Sequence, residues 1–406
     1  MSTQKTAISP LWLITVVAVV SMLAPFSIDT YLPSFPAIEA ELDVSRHVLT
    51  QSLAVYLGCF ALATLIWGPL ADRFGRRKIV LISLLGYLGA ALLCALAQDY
   101  QHLLIGRALQ GIMAAGSLVA SRAMIRDYFS GARAQSALAV VMMLFTVAPA
   151  IAPIIGGYLE VHFGWRSVFY FLAFYALVLW LMFAWQIAET QDPKHVQSIH
   201  PKQLLYSYAD TLKHPLFLRL ALLQGLLIGG FFIYVASSAS LIYEHLGWQE
   251  QDFWRLFIPM VGGILLGSLL SHRLAESTLP IKLVSQALLI AFVAIAINSS
   301  IHLIGDTSAF WAIAPLSVYA LGFALANPGL SVLGLDCLPN KRGMAASLQS
   351  LMQMGTAALV TALIVPWVEH SLLAMALAQA AMLVIAVLLW WSLHRRPSFQ
   401  HLTHSH

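Results

Sequence analysis

The chain has 406 residues, 60% of them hydrophobic and only 10% charged, against about 45–50% and about 25% in ordinary soluble domains. With a mean hydropathy of +0.80, it carries more apolar surface than one water-facing globule can bury, so the class is integral membrane protein. Cys59, Cys94 and Cys337 are scattered without a C-x-x-C pair, which gives no disulfide framework or metal site, and the net charge of +4 matters less than where the charges lie.

A membrane-crossing helix needs about 20 mostly apolar residues. Such runs lie at 11–33, 48–70, 79–97, 103–122, 135–159 and 167–187, and again at 216–240, 252–271, 282–300, 308–331, 343–366 and 371–393. They predict an all-α membrane protein of twelve transmembrane helices in two six-helix bundles, 1–188 and 216–393. A polar connector, 189–215, separates them, with one surface helix predicted near 202–213. A tail, 394–406, follows, whose crowded histidines read as a solvated end. When the N-terminus is put in the cytoplasm, 18 of the 22 Lys and Arg residues fall on the cytoplasmic side. The positive-inside rule then makes both termini cytoplasmic.

The first run contains "LAPFSIDTYLPSFP" (23–36), which sets Asp29 between Pro25 and Pro33. It is the one acid among 18 that falls clearly inside a predicted span. A carboxylate at the membrane centre costs on the order of 3 kcal/mol on insertion scales. In the fourth run, "LLIGRALQGIMAAG" (103–116) carries Arg107. Arg107, Gln110, Gly111 and Ala114 share a helical face, and an intramembrane arginine should face the protein interior with a partner. Asp29 and Arg107 each lie about four residues, roughly 6 Å, from the outer ends of their spans, so contact or water-bridged pairing is expected. Burial favours the protonated acid and a nearby guanidinium favours the carboxylate. A site whose balance changes between two conformations loads a proton on one side and releases it on the other. The competing reading of Asp29 is a structural cap near a proline-broken helix end, or a carboxylate facing outside water.

The loop after the second run reads "GPLADRFGRRK" (68–78) and that after the eighth "GSLLSHRLAE" (267–276), an eroded repeat at matching places in two halves. Gly68 and Gly75 are expected to permit tight backbone turns. Arg73, Arg76, Arg77 and Lys78 suit an anionic cytoplasmic leaflet, and Asp72 suits a helix N-terminus, with Gly343 at the start of the eleventh span as its expected partner. The next cytoplasmic loop adds Arg126 and Asp127. In "VAPAIAPIIGGYL" (147–159), Pro149 and Pro153 can bend the helix, and Gly156 and Gly157 allow close helix approach. No P-loop is present, since "GIMAAGS" lacks the G-K-[ST] ending, which argues against a self-contained ATP-driven pump.

These motifs resemble the major facilitator superfamily. "GPLADRFGRRK" resembles its signature loop, the fourth-run arginine its fourth-helix motif, and "VAPAIAPIIGGYL" the fifth-helix motif of the drug:proton antiporter branch. "IDTYLPSFP" and "RGMAASLQSLMQMG" (342–355) resemble the Bcr/CflA group of that branch. The resemblance implies that Gly68, Asp72, Arg73, Gly75, Arg76, Arg77, Arg126 and Asp127 form a conformational latch. Read without it, these loops are only topology determinants. It also implies a central cavity, for which the candidate lining is Tyr31, Tyr56, Gln110, Met142, Phe145, Phe231, Tyr234, Ser237, Trp254, Asn327, Gln349 and Gln353. Aromatic and methionine walls with few polar groups suit apolar ligands of varied shape; the same residues read equally as lipid-facing or packing groups. One departure stands out: no acid falls within spans seven to twelve.

The expectation is therefore a multi-pass inner-membrane antiporter, not an enzyme, exporting drug-like small molecules by alternating access. Its partners are protons, the small-molecule substrate and the bilayer, with no nucleic acid. It needs no metal or cofactor beyond the proton gradient, and monomer is the default by resemblance. The alternative is a transporter of a metabolite such as a nucleoside or amino-acid derivative in the same fold, whose bases Gln and Asn side chains suit as well. A receptor or channel without coupled transport is a further class, opposed by the paired halves.

Overall fold

A computed structural model describes residues 9–191, 201–275, 277–305 and 308–394. Among the described residues all regular structure is helical. In the first unit α1 spans Pro10–Asp29, α2 Phe35–Leu42, α3 Arg46–Phe74, α4 Arg76–Ala95, α5 Tyr100–Tyr128, α6 Gly131–Phe163 and α7 Arg166–Gln186. In the second, α8 spans Pro201–Leu212, α9 Pro215–Ala236, α10 Trp254–Leu274, α11 Pro280–Ile304, α12 Ala309–Asp336, α13 Arg342–Leu363 and α14 Leu372–His394. The chain divides into two compact units at His200 and Pro201. The expected surface helix appears as α8. Residues 192–200 of the predicted connector and 395–406 of the predicted tail lie outside the described residues.

Local chemistry sets the helix ends. Proline opens α1, α9 and α11, where its missing N–H would be unpaired anyway. The Ser45 hydroxyl accepts from Val48 N and the Asp99 carboxylate from His102 N, capping α3 and α5. The α6–α7 turn passes through Gly164 at φ +75°, a conformation that glycine adopts without penalty.

Eleven helical stretches are long and apolar enough to cross a membrane. The twelfth expected run, 343–366, does form a helix, α13, but it falls outside those eleven. Ser347, Gln349, Ser350, Gln353 and Thr356 dilute its hydropathy.

The two units repeat one pairing scheme. In the first, α1 packs on α6, α3 on α5, α4 on α5, and α4 on α7. In the second, α9 packs on α13, α10 on α12, α11 on α12, and α11 on α14. Counted by order of apolar helices, the partners correspond one to one. The faint loop echo in the sequence thus accompanies a repeat of the whole helix arrangement.

Candidate functional site

Asp29 is the last residue of α1, followed by Thr30, Tyr31 and a single 3-10 turn, Leu32–Ser34. Pro33 sits at the second position of that turn, so the helix stops and restarts beside the acid. Asp29 is buried, at 4% exposure, and its carboxylate has no hydrogen bond or ion pair among the described residues. Gly156 of α6 presses on this break: a Cβ there would lie 2.2 Å from the Thr30 carbonyl oxygen. This close approach gives the α6 motif its physical reason. Pro149 and Pro153 lie inside a helix that runs unbroken through both, and Gly157 is buried beside Gly156.

Arg107 is fully buried. Its Nη1 donates to the Ser27 carbonyl oxygen and to Gln110 Oε1, each at 2.9 Å. The guanidinium carbon lies 4.8 Å from the Tyr31 ring centroid and 4.4 Å from that of Tyr56, a cation–π clamp that spreads its charge over two rings. The network continues outward. Ser27 Oγ meets Tyr87 OH at 2.5 Å, Gln110 Nε2 donates to Tyr87 OH at 3.5 Å, and Tyr31 OH meets Ser52 Oγ at 2.9 Å. Tyr56 OH donates to the Ala24 carbonyl oxygen at 3.3 Å. At Gly111 a Cβ would lie 2.3 Å from the Tyr56 carbonyl oxygen, so glycine there brings α5 against α3 and seats the clamp.

The expected direct contact between Asp29 and Arg107 is therefore not made. Equal depth in two helices is not enough, because the guanidinium is drawn to the free carbonyl of Ser27 and to two tyrosine faces. Tyr56 is instead within electrostatic reach of both charges. Tyr31, Tyr56 and Gln110, expected in a cavity wall, are the packing around Arg107. Ser27, Ser52 and Tyr87 were not legible as site residues: a lone hydroxyl in an apolar run carries no distinguishing signal.

The signature loop is tied down within its own unit. Asp72 and Arg76 Nη1 pair at 2.5 Å, and Arg76 Nε reaches Asp127 at 3.0 Å. Arg77 donates to the carbonyls of Ile187 and Ala184 at the end of α7. Arg73 lies over Phe74, and Arg126 is exposed. Glu189, which sequence reasoning passed over, accepts from the backbone N–H groups of Arg76 and Arg77 at 3.0 Å each. It caps α4 with a carboxylate, where the helix dipole favours one. Gly75 is required twice over: its φ is +98°, and a Cβ would lie 2.5 Å from Glu189 Oε2. Gly68 corrects the expectation of a turn, since it lies inside α3 with only an ordinary contact to Val119.

The remaining cavity candidates scatter. Met142 and Trp254 are largely exposed. Phe145 stacks under Arg122 at 5.1 Å. Phe231 stacks on Phe323. The Tyr234 hydroxyl accepts from Asn298 Nδ2 at 2.7 Å, and Ser237 is buried at the end of α9. Asn327 accepts from Gln224. Gln349 exchanges hydrogen bonds with Ser331, while Gln353 is half-buried. A buried acid that the run-by-run reading placed outside the spans is Glu369, in the turn between α13 and α14, where Ser240 Oγ donates to it at 3.3 Å.

The Major Facilitator Superfamily model matches residues 17–361. The chain belongs to the major facilitator superfamily. It is 29% identical over 346 residues to the Uncharacterized MFS-type transporter YdgK of Bacillus subtilis, covering 85% of this chain and 86% of that one. It is 26% identical over 390 residues to the bicyclomycin resistance protein homolog of Haemophilus influenzae, covering 94% and 96%. The multidrug resistance protein MdtL of Klebsiella pneumoniae matches at 29% over 57% of this chain and 58% of its own. Among solved structures, a bacterial homolog of the human lysosomal transporter Spinster superposes with a TM-score of 0.73 at 16% identity, covering 96% of this chain and 97% of that one. The POT family transporter PepTSo superposes at 0.72 and 14%, covering 94% and 98%.

Proposed function

We propose that this facilitator is a proton-coupled antiporter that exports drug-like small molecules across the inner membrane, in the Bcr/CflA group of the drug:proton branch. In this reading α13 is the twelfth span, both termini are cytoplasmic, and the bundles 1–188 and 216–393 rock about connector 189–215 as a monomer, with 394–406 as the cytoplasmic tail. The observation that carries the coupling is Asp29, a buried carboxyl with no counter-ion among the described residues, set at a helix break against Gly156. A charge there is costly, and a proton removes the cost. The break lets the acid change surroundings while Arg107 stays clamped by Ser27, Gln110 and the two tyrosines. Arg107 then acts as a fixed positive field, and substrate arriving from the cytoplasm displaces the proton. The loop charges around Asp72, Arg76 and Asp127 hold one conformation, and Glu189 keeps that loop in shape.

Similarity to resistance proteins supports drug-like cargo. The test is proton release from detergent-purified protein on addition of candidate drugs. Release is expected from the parent chain and not from Asp29→Asn. Equal release from both sinks the coupling assignment.

A further inference from the structure

Arg122 lies in α5, 15 residues beyond Arg107, or about 22 Å along the helix and about 60° around it by helical geometry. Like Arg107, it has Nε and Nη2 shielded from solvent and without an acceptor among the described residues, but Arg107 has its Nη1 engaged by Ser27 and Gln110 and two tyrosine rings against it. Arg122 as a whole is only partly buried. Its guanidinium carbon stands 5.1 Å from the Phe145 ring centroid. Arg126, one turn on, adds a like charge. The loop acids Asp72 and Asp127 are already held by Arg76. A cation shielded in this way is expensive unless an acceptor completes it, and a planar guanidinium fork matches a carboxylate in particular.

We infer that Arg122 and Phe145 form a subsite for the carboxylate of an aromatic, anionic or zwitterionic cargo. The guanidinium takes the carboxylate and the Phe145 ring takes the adjoining flat apolar group. This deepens the export reading and rests on it: it gives the cargo a negative end and an aromatic body. Arg107 is held apart from that role by its fully buried position, its Nη1 bonds to Ser27 and Gln110 and the two tyrosine rings against it.

The test uses the purified full chain in detergent, with 2-naphthoate and 2-naphthamide as probes, the same ring with and without the charge. Calorimetric titration should give at least a tenfold preference for the acid. Arg122→Gln should reduce the preference to near unity without weakening the amide. Arg122→Lys keeps the charge and loses the fork, so it should retain a reduced preference; it serves if the glutamine variant does not fold. Phe145→Leu should weaken both probes several-fold. A parent chain that binds neither probe, or binds both equally, overturns the subsite, as does a preference that survives in Arg122→Gln or is unchanged in Arg122→Lys. Asp29→Asn should keep the preference, so loss of proton coupling and loss of the carboxylate subsite are read separately.

Discussion

The two units share a helix-pairing scheme and differ in what they bury. The first holds charge in its membrane-spanning core: Asp29 without a partner, and Arg107 between two tyrosines. The second holds amide and hydroxyl pairs, with Asn298 on Tyr234, Gln224 on Asn327, and Gln349 on Ser331. Its buried acid, Glu369, sits in a turn between helices. A repeated fold has thus been given unequal chemistry. Charged groups in a low-dielectric core respond strongly to small changes in surroundings, whereas a hydrogen-bonded amide mainly specifies packing. Under the proposed function, the energy coupling falls to the first unit.

Substitutions can break this contrast, beginning with the largest effect. Asp29→Asn should lower pH-gradient-driven transport on the order of 100-fold, equivalent to about 2.7 kcal/mol. Membrane level and folding should stay normal. Transport assays in vesicles with an imposed pH gradient measure it, and full proton-driven transport in this variant would end the division of labour drawn here. Next, Gly156→Leu should separate α6 from the Thr30 carbonyl, costing about 1–3 kcal/mol as overpacking does. It should appear as a lowered melting temperature together with weakened coupling. A smaller effect is expected from Asn298→Ala, which removes one buried hydrogen bond worth about 1 kcal/mol. It should lower the melting temperature and leave the pH dependence of transport unchanged, and a shifted pH profile would show that the second unit also couples.

The smallest effect concerns Asp210 of α8, which accepts from Lys341 Nζ at 2.7 Å. That hydrogen bond, with the lysine's charge, holds the Asp210 carboxyl below its usual range. A depressed carboxyl contributes stability above the unfolded value near pH 3.9 and loses it as pH falls through the lower folded value. The pair is exposed, so the contribution is slight. Thermal melts of Lys341→Ala and the parent chain should differ least below about pH 4. A difference that grows on acidification would contradict the pairing.

Much of the site was legible for one physical reason. A charge in an apolar run is costly, so Asp29 and Arg107 stand out whatever they touch. Gly75 and Gly156 were legible as backbone requirements, but what they make room for, a Glu189 carboxylate and a Thr30 carbonyl, was not. Gly68 misled because a glycine inside a helix and one at its end look alike in a string. Arg122 was passed over at the edge of its run, where a basic residue ordinarily marks the cytoplasmic face. Gln349 and Gln353 were read as a shared polar face, yet Gln349 is spent on Ser331.

The sequence by itself determined the membrane class, the extent of nearly every helix and the positions of the intramembrane charges, because hydropathy and charge cost are summed locally along the chain. Only the tertiary structure decided that Arg107 would choose Ser27 and two tyrosines over Asp29, and that Arg122 would face Phe145 with its Nε and Nη2 lacking an acceptor among the described residues. Those outcomes depend on ångström-scale approach between helices distant in sequence, where competing acceptors are ranked by geometry.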